Sequence, residues 1–118
     1  MDQARLAQRL RDFAVARDWE QFHSPKNLVM ALSAEVGELT EIFQWLSEDG
    51  SRTLAADDRR RVREEIADVQ IYLLRLADLL EVDLEKAVDD KIALNEAKYP
   101  IAQARGNATK YNRRGEEA

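Results

Sequence analysis

The sequence predicts an all-α protein, a bundle of four helices that assembles into a homo-oligomer. Apolar residues recur every three or four positions through most of the chain, which is the period of amphipathic helices. Pro25 and Pro100 stand where helices are expected to begin and end. No segment alternates apolar and polar residues for long enough to indicate a strand. With 118 residues, 45% of them apolar, the chain has the size of one ordinary domain.

The first part of the chain is predicted to contain two helices and a short connection. A first helix is expected over about residues 2–17, and residues 18–23 form a non-helical connection. Ser24 has the side chain of an N-cap, and Pro25 suits the first helical position. These two residues predict a second helix that runs from Pro25 to about residue 46.

The second part is predicted to contain two more helices and a polar tail. Gly50 and its small polar neighbours indicate a loop over residues 47–51. A third helix is expected from residue 57 or 58 to about residue 80. Asp83 can cap a fourth helix, which ends before Pro100. We expect residues 101–118 to be mobile or to pack on a neighbouring subunit.

The third helix is apolar around much of its circumference. Its main apolar stripe contains Val62, Ile66, Val69, Leu73, Leu76 and Leu80. Ile71, Leu74 and Leu79 lie outside that stripe. A helix with this pattern is buried on several sides, and one small chain offers little cover. The pattern therefore predicts a homo-oligomer.

Composition excludes several classes of protein. There is no cysteine, which excludes disulfides, thiolate metal sites and a cysteine nucleophile. The apolar runs are too short to span a bilayer, and charges stand where a signal peptide needs apolar residues. The net charge of −5 comes without a basic patch for nucleic acid. We therefore expect a cytoplasmic protein with neither a membrane nor a nucleic acid as partner.

Two pairs of acidic residues stand out on the second and third helices. Glu35 and Glu38 are three residues apart, so they project from one helix face. Glu65 and Asp68 repeat this spacing on the third helix. The spacing alone is typical of solvated surface charge. At about 100° per residue, however, each pair falls at the border of its helix's apolar face.

Carboxylates in that position suggest a bound cation as the alternative to surface charge. Burial and mutual repulsion disfavour their ionised forms, and a divalent cation removes both problems. A set of oxygen ligands favours Mg²⁺, with Mn²⁺ as a possible substitute. The four acids supply −4 of the net charge of −5, which leaves −1 for all other residues. Glu41 and Glu64 point away from the apolar faces and are excluded from the ligand set.

A polar stripe is predicted on the fourth helix. Lys91, Asn95 and Lys98 fall within about 60° of one another, among the apolar residues of the inner side. Lysines in such a place can extend their charge to solvent or pair with acids. Alternatively, they bind phosphate oxygens while Asn95 supplies an amide. A metal ion and lysines together stabilise the charge of a transferring phosphoryl group.

These motifs, in this order, resemble the MazG-like all-α nucleoside triphosphate pyrophosphohydrolases. Residues 18–25 (DWEQFHSP) and 35–45 (EVGELTEIFQW) are similar to the dCTP pyrophosphatase branch in particular. The likeness extends from about residue 5 to residue 111. It implies a MazG-like domain over residues 1–100, followed by the tail at 101–118.

The resemblance implies hydrolysis between the α- and β-phosphates, which yields a nucleoside monophosphate and pyrophosphate. It implies that Mg²⁺ is bound by Glu35, Glu38, Glu65 and Asp68. It also implies a nucleotide site lined by Trp19, Glu20, Gln21, Phe22, His23, Trp45 and Tyr72. Glu38 is our candidate for the catalytic base. The family further implies a homotetramer, a dimer of dimers whose sites are completed by a neighbouring chain.

Some assignments stay open. Trp19 and Trp45 have flat faces for base stacking, although Trp45 and Tyr72 are also explained as core aromatics. Animal members of the dCTP branch carry a histidine in the first helix, where this chain has Leu10. This departure leaves the choice of base open: the resemblance makes dCTP and its 5-substituted forms the leading substrates, with dUTP, dATP or a broad range as alternatives. Lys110 and Tyr111 are candidates for closing the tail over the substrate.

The alternative to an enzyme is a non-catalytic helical module for interaction or regulation with the same fold. Such a module has no need of the acidic quartet or the lysine stripe. The sequence therefore favours an enzyme of nucleotide-pool sanitation.

Overall fold

A computed structural model describes residues 1–108, and every regular element in that range is helical. The helices are α1 (Gln3–Ala16), α2 (Pro25–Phe43), α3 (Glu48–Arg52), α4 (Ala56–Leu79), α5 (Leu84–Lys98) and α6 (Ile101–Ala104). A single 3-10 turn, Glu20–Phe22, lies in the connection between α1 and α2. The prediction of an all-α protein is confirmed.

Both α2 and α5 begin at side chains that cap them. The Ser24 hydroxyl accepts a hydrogen bond from the backbone N–H of Asn27, with Pro25 in the first turn of α2. The Asp83 carboxylate accepts one from the backbone N–H of Lys86 at the start of α5. Each cap satisfies a backbone donor that has no partner within the helix. Both predicted caps are confirmed.

The loop predicted over residues 47–51 is wrong. The Ser47 hydroxyl accepts a hydrogen bond from the backbone N–H of Gly50, and this cap starts the short helix α3. Five residues are too few to show a helical period in the sequence, so only the cap could have indicated the helix. Beyond Pro100, residues Ile101–Ala104 form α6.

The chain divides into two compact units, Met1–Val82 and Asp83–Ala118. In the first unit, α4 packs along α2 and also contacts α1. The second unit contains α5 and α6. The arrangement of four helices in one bundle stays a prediction. None of the helices in residues 1–108 is long and apolar enough to cross a membrane.

The buried apolar side chains of the described residues all belong to α1, α2 and α4. They are Ala7, Ala14, Leu28, Ile42, Leu74 and Ala77. Leu74 was expected outside the main stripe of α4, yet it is only 3% exposed, whereas Ile66 and Leu80 of that stripe are 54% and 53% exposed. The reason is that α4 packs against two helices, α1 as well as α2, so its burial extends beyond one stripe. Val62, Val69, Leu73 and Leu76 are half-buried, and Ile71 and Leu79 are exposed.

Candidate metal centre

The packing of α2 against α4 brings three carboxylates together. Glu35 and Glu38 come from α2 and Glu65 from α4, and one oxygen of each lies within 4.8 Å of the others. Glu35 and Glu65 are half-buried, whereas Glu38 is exposed. Asp68 is half-buried and one helical turn beyond Glu65. Three of the four acids that the sequence places on separate helices thus come together, and Asp68 lies outside that trio.

Two oxygens of this cluster are buried without a partner. Glu35 Oε2 and Glu65 Oε2 are shielded from solvent and have no hydrogen bond among residues 1–108. Buried polar atoms in proteins are nearly always paired, because an unpaired one loses its hydration without compensation. A cation between α2 and α4 would satisfy both oxygens.

The environment of the cluster favours protonated carboxyl groups. Burial raises the pKa of Glu35 to about 7, aided by the adjacent carboxyl groups of Glu65 and Glu38 and by the charges of Glu38 and Asp68. Burial also raises the pKa of Glu65, as do the neighbouring Glu38 and Asp68 charges, against the opposing hydrogen bond from Glu35. Like charges in a poorly hydrated place disfavour a second ionisation.

The donor set fits a hard divalent cation. All the available ligand atoms are carboxylate oxygens, which Mg²⁺ and Mn²⁺ prefer and softer ions do not. A bound cation would favour the ionised carboxylates that the metal-free cluster disfavours. Glu41 and Glu64, the nearby acids excluded by sequence, are exposed. The geometry therefore makes this cluster the candidate metal centre.

The connection between α1 and α2 (residues 17–24) folds back toward α1. Asp18 has a φ of 52°, a left-handed conformation that aspartate tolerates better than most residues. The backbone N–H of Trp19 then donates to the carbonyl oxygen of Ala14 at 2.9 Å. The Trp19 ring meets the Phe13 ring edge to face, with 5.7 Å between the centroids. Gln21 Nε2 donates to Asp18 and secures the turn.

A buried arginine fastens this connection to α4. Arg75 is 5% exposed, and its Nε donates to His23 Nδ1 at 3.3 Å. Its Nη2 lies 3.9 Å from Glu20 Oε1, and its Nη1 donates to Asp78 Oδ2 at 3.3 Å. No pattern in the sequence singled out Arg75. The available signal was a charged residue within the apolar run of residues 71–80.

The other aromatic candidates differ in exposure. Trp45 is 88% exposed, so it is not a core aromatic of this chain. Phe22 is 59% exposed and Trp19 is 45% exposed. Tyr72 is half-buried on α4, one turn from Asp68. These aromatic faces have ample surface free for a ligand.

The predicted polar stripe lies on α5, in the second unit. Lys91, Asn95 and Lys98 fall on one face of that helix, with Lys91 and Asn95 exposed and Lys98 half-buried. Lys110 and Tyr111 lie outside the residues that the structure describes.

Comparison with known proteins extends these observations. A family model described as the MazG-like family matches residues 30–113. Two curated proteins named dCTP pyrophosphatase 1, from Rattus norvegicus and Homo sapiens, are 49% and 47% identical to the chain over 102 residues. Each match covers 85% of this chain, and the chain spans 60% of the length of these relatives.

A solved structure also matches closely. The crystal structure of a pyrophosphatase from Archaeoglobus fulgidus DSM 4304 superimposes with a TM-score of 0.79 and is 44% identical in sequence. The match covers 85% of this chain and 94% of that one. The resemblance inferred from residues 18–25 and 35–45 is confirmed.

We predict that the metal-free protein loses stability as the pH rises through the raised pKa of Glu35. The folded state holds a proton that the unfolded chain releases near its ordinary pKa of about 4.3. The contribution is therefore fully present below that value and lost by about pH 7 to 8. Glu35→Gln removes the titration, so its melting temperature should rise relative to wild type between pH 5 and pH 8 in the presence of a chelator.

Glu41→Gln is the matched control, because it removes an exposed carboxylate from the same helix. The quantity measured is the difference in melting temperature between variant and wild type, because the titration of other groups such as His23 cancels in that difference. An equal pH dependence in wild type and Glu35→Gln would contradict the prediction.

Proposed function

This chain belongs to the MazG-like family, and from that premise we propose that it is an Mg²⁺-dependent nucleoside triphosphate pyrophosphohydrolase. The observation that carries the proposal is the pair of buried, unpartnered oxygens in the cluster formed by α2 and α4. The products are a nucleoside monophosphate and pyrophosphate. The role is sanitation of the nucleotide pool.

In this proposal Glu35, Glu38, Glu65 and Asp68 hold the metal. The fit rests on the half-buried carboxylates and on the orphaned oxygens Glu35 Oε2 and Glu65 Oε2. Bound Mg²⁺, or Mn²⁺ as a substitute, supplies positive charge for phosphate oxygens and activation of water. A rigid pair of packed helices holds the ligands in position before the substrate arrives.

Water attacks the α-phosphorus. The bond from that phosphorus to the oxygen that bridges the α- and β-phosphates breaks. Glu38 is the exposed member of the trio, so it is the carboxylate that water reaches most readily. We assign it as the base that accepts the proton of the attacking water. Pyrophosphate leaves with the electrons of the broken bond.

The aromatic residues and the polar stripe bind the rest of the substrate. Trp19, Trp45 and Phe22 present exposed rings, and base stacking on such rings is worth about 1–3 kcal/mol per base. Tyr72 lies one turn along α4 from Asp68. We assign phosphate contacts to the stripe of Lys91, Asn95 and Lys98.

The leading substrate is dCTP or a 5-substituted dCTP. The support is the name of the curated relatives, dCTP pyrophosphatase 1, and their identity of 47–49% with this chain. Leu10 stands where animal members of that branch carry a histidine. The choice of base is therefore part of the test, with dUTP and dATP as the first competitors.

The proposal predicts that the protein converts a deoxynucleoside triphosphate to monophosphate and pyrophosphate only with a divalent cation present. The measurement is separation of the products by ion-exchange chromatography for the eight common triphosphates, with Mg²⁺ and with a chelator. Orthophosphate as product would reject the bond that we assign. No turnover of any triphosphate would favour the non-catalytic module.

Glu38→Gln should lower kcat by at least about 100-fold, the size typical of a lost general base. Glu41→Gln is the control on the same helix and should keep the wild-type rate, because Glu41 is exposed and lies outside the cluster. Full activity of Glu38→Gln would remove Glu38 from both of its assigned roles.

We further propose that the active form is a homotetramer built as a dimer of dimers. The support is the large apolar side chains left exposed on the two helices that carry the acids. Exposures are 49% for Val29, 62% for Met30, 45% for Val36, 54% for Ile66 and 40% for Ile71. Covering such side chains is favourable by about 25 cal/mol per Å². Exposed apolar side chains in this number are typical of an interface between chains.

Sedimentation equilibrium should therefore give a mass of about four chains. Met30→Glu should shift it toward smaller species, because it places a charge in an apolar interface. Ala4→Glu is a control that adds a charge to an exposed position of α1, away from the side chains named above. A monomeric wild-type protein at micromolar concentration would contradict the proposal.

A further inference from the structure

Arg75 shares one face of α4 with the candidate metal ligands. Glu65, Asp68, Tyr72 and Arg75 are separated by three, four and three residues, a spacing that keeps them within about 80° of one another. Arg75 lies about 10 Å along the helix axis from Asp68 and about 15 Å from Glu65. The face thus carries carboxylates at one end and, at the other, the guanidinium that contacts residues 20 and 23.

The guanidinium is held on three sides. Nη1 donates to Asp78, which also accepts from Arg11 Nε at 2.8 Å, so α1 and α4 are tied at this point. Nη2 lies near the Glu20 carboxylate. With those positions taken, Nε is directed at His23 Nδ1. A planar group with this many partners has little freedom to turn.

The contact determines the state of the histidine. Arginine is always charged and has no acceptor, so His23 Nδ1 accepts and the ring proton lies on Nε2. Arg75 and Arg11 carry two positive charges against the two negative charges of Asp78 and Glu20. A protonated imidazole would add a positive charge that this group does not balance. Burial first, and then the Arg75 charge, lowers the pKa of His23, while Glu20 opposes them.

We propose that Arg75 is a positioning residue that holds residues 20–23 at the nucleoside end of the substrate site, with the His23 proton on Nε2 as a donor. The inference rests on the proposed function for the identity of the substrate. Triphosphate at the carboxylates and nucleoside at the α1–α2 connection place the substrate along this face of α4. The Nε2–H then donates to an oxygen of the nucleoside.

The imidazole itself provides the test, because His23 is the single histidine of the chain. Long-range ¹H–¹⁵N correlation spectra of the wild-type protein should show a neutral ring protonated on Nε2 at pH 7. In Arg75→Met the preference for that tautomer should be lost, and the pKa of His23 should rise. Arg75→Lys keeps a charged donor. It should therefore retain part of the preference for the Nε2 tautomer and part of the lowering of the His23 pKa. Arg11→Met is the control that removes a charge from the same group without contacting His23.

Kinetics separates positioning from a merely structural role. Arg75→Met should raise KM for the triphosphate about tenfold, the effect of losing one placed hydrogen bond, while kcat changes by less than about threefold. The affinity for Mg²⁺ should stay at the wild-type value, since the carboxylates are untouched. Arg11→Met should leave KM unchanged.

Several results would overturn the proposal. If the wild-type His23 ring is protonated on Nδ1, the hydrogen bond from Arg75 does not exist. If the ring signals of Arg75→Met equal those of wild type, Arg75 does not determine the tautomer. A KM independent of Arg75 removes its role toward the substrate. If Arg75→Met does not fold, the wild-type spectrum and the spectrum and KM of Arg75→Lys decide whether Arg75 positions His23. No turnover by wild type rejects the proposed function and the substrate role with it, and the ring spectrum still decides the His23 contact.

Discussion

The repulsion among the carboxylates of α2 and α4 is the constraint on which the rest of the structure depends. Glu35 and Glu65 face each other because the apolar sides of the two helices pack together, so the acids cannot separate without uncovering that core. Metal-free, the cluster reduces its charge by holding protons. A divalent cation would relieve the same repulsion while keeping the carboxylates ionised. The fold thus keeps a local instability that a ligand can remove.

The second feature is that core residues and candidate site residues lie on different sides of α4. Leu74 and Ala77 supply the core on one side of the helix. Glu65, Asp68, Tyr72 and the buried Arg75 lie on another side, which at about 100° per residue is roughly opposite. A single rigid helix therefore fixes the distance between the candidate metal centre and the α1–α2 connection. Sites placed on rigid elements hold their geometry better than sites placed on loops.

Local signals in the sequence predicted much of this architecture. Ser24 and Asp83 act through neighbouring backbone groups, so their caps can be recognised from the sequence alone. The acidic pairs were found because helical period relates residues three apart. Which side of α4 is buried depends on the helices that cover it, so the period alone could not predict that Leu74 is more buried than Ile66. The contact of Arg75 with His23 joins residues 52 apart, beyond the reach of any local pattern.

The central claim is that the acidic cluster is a divalent metal site, and proton release on metal binding tests it most directly. Mg²⁺ or Mn²⁺ is titrated into chelator-treated protein at pH 7 by calorimetry, in two buffers with different heats of ionisation. Because the pKa of Glu35 is about 7, the account predicts saturable binding that releases at least about half a proton per chain. The absence of saturable binding, or binding without proton release, would contradict it.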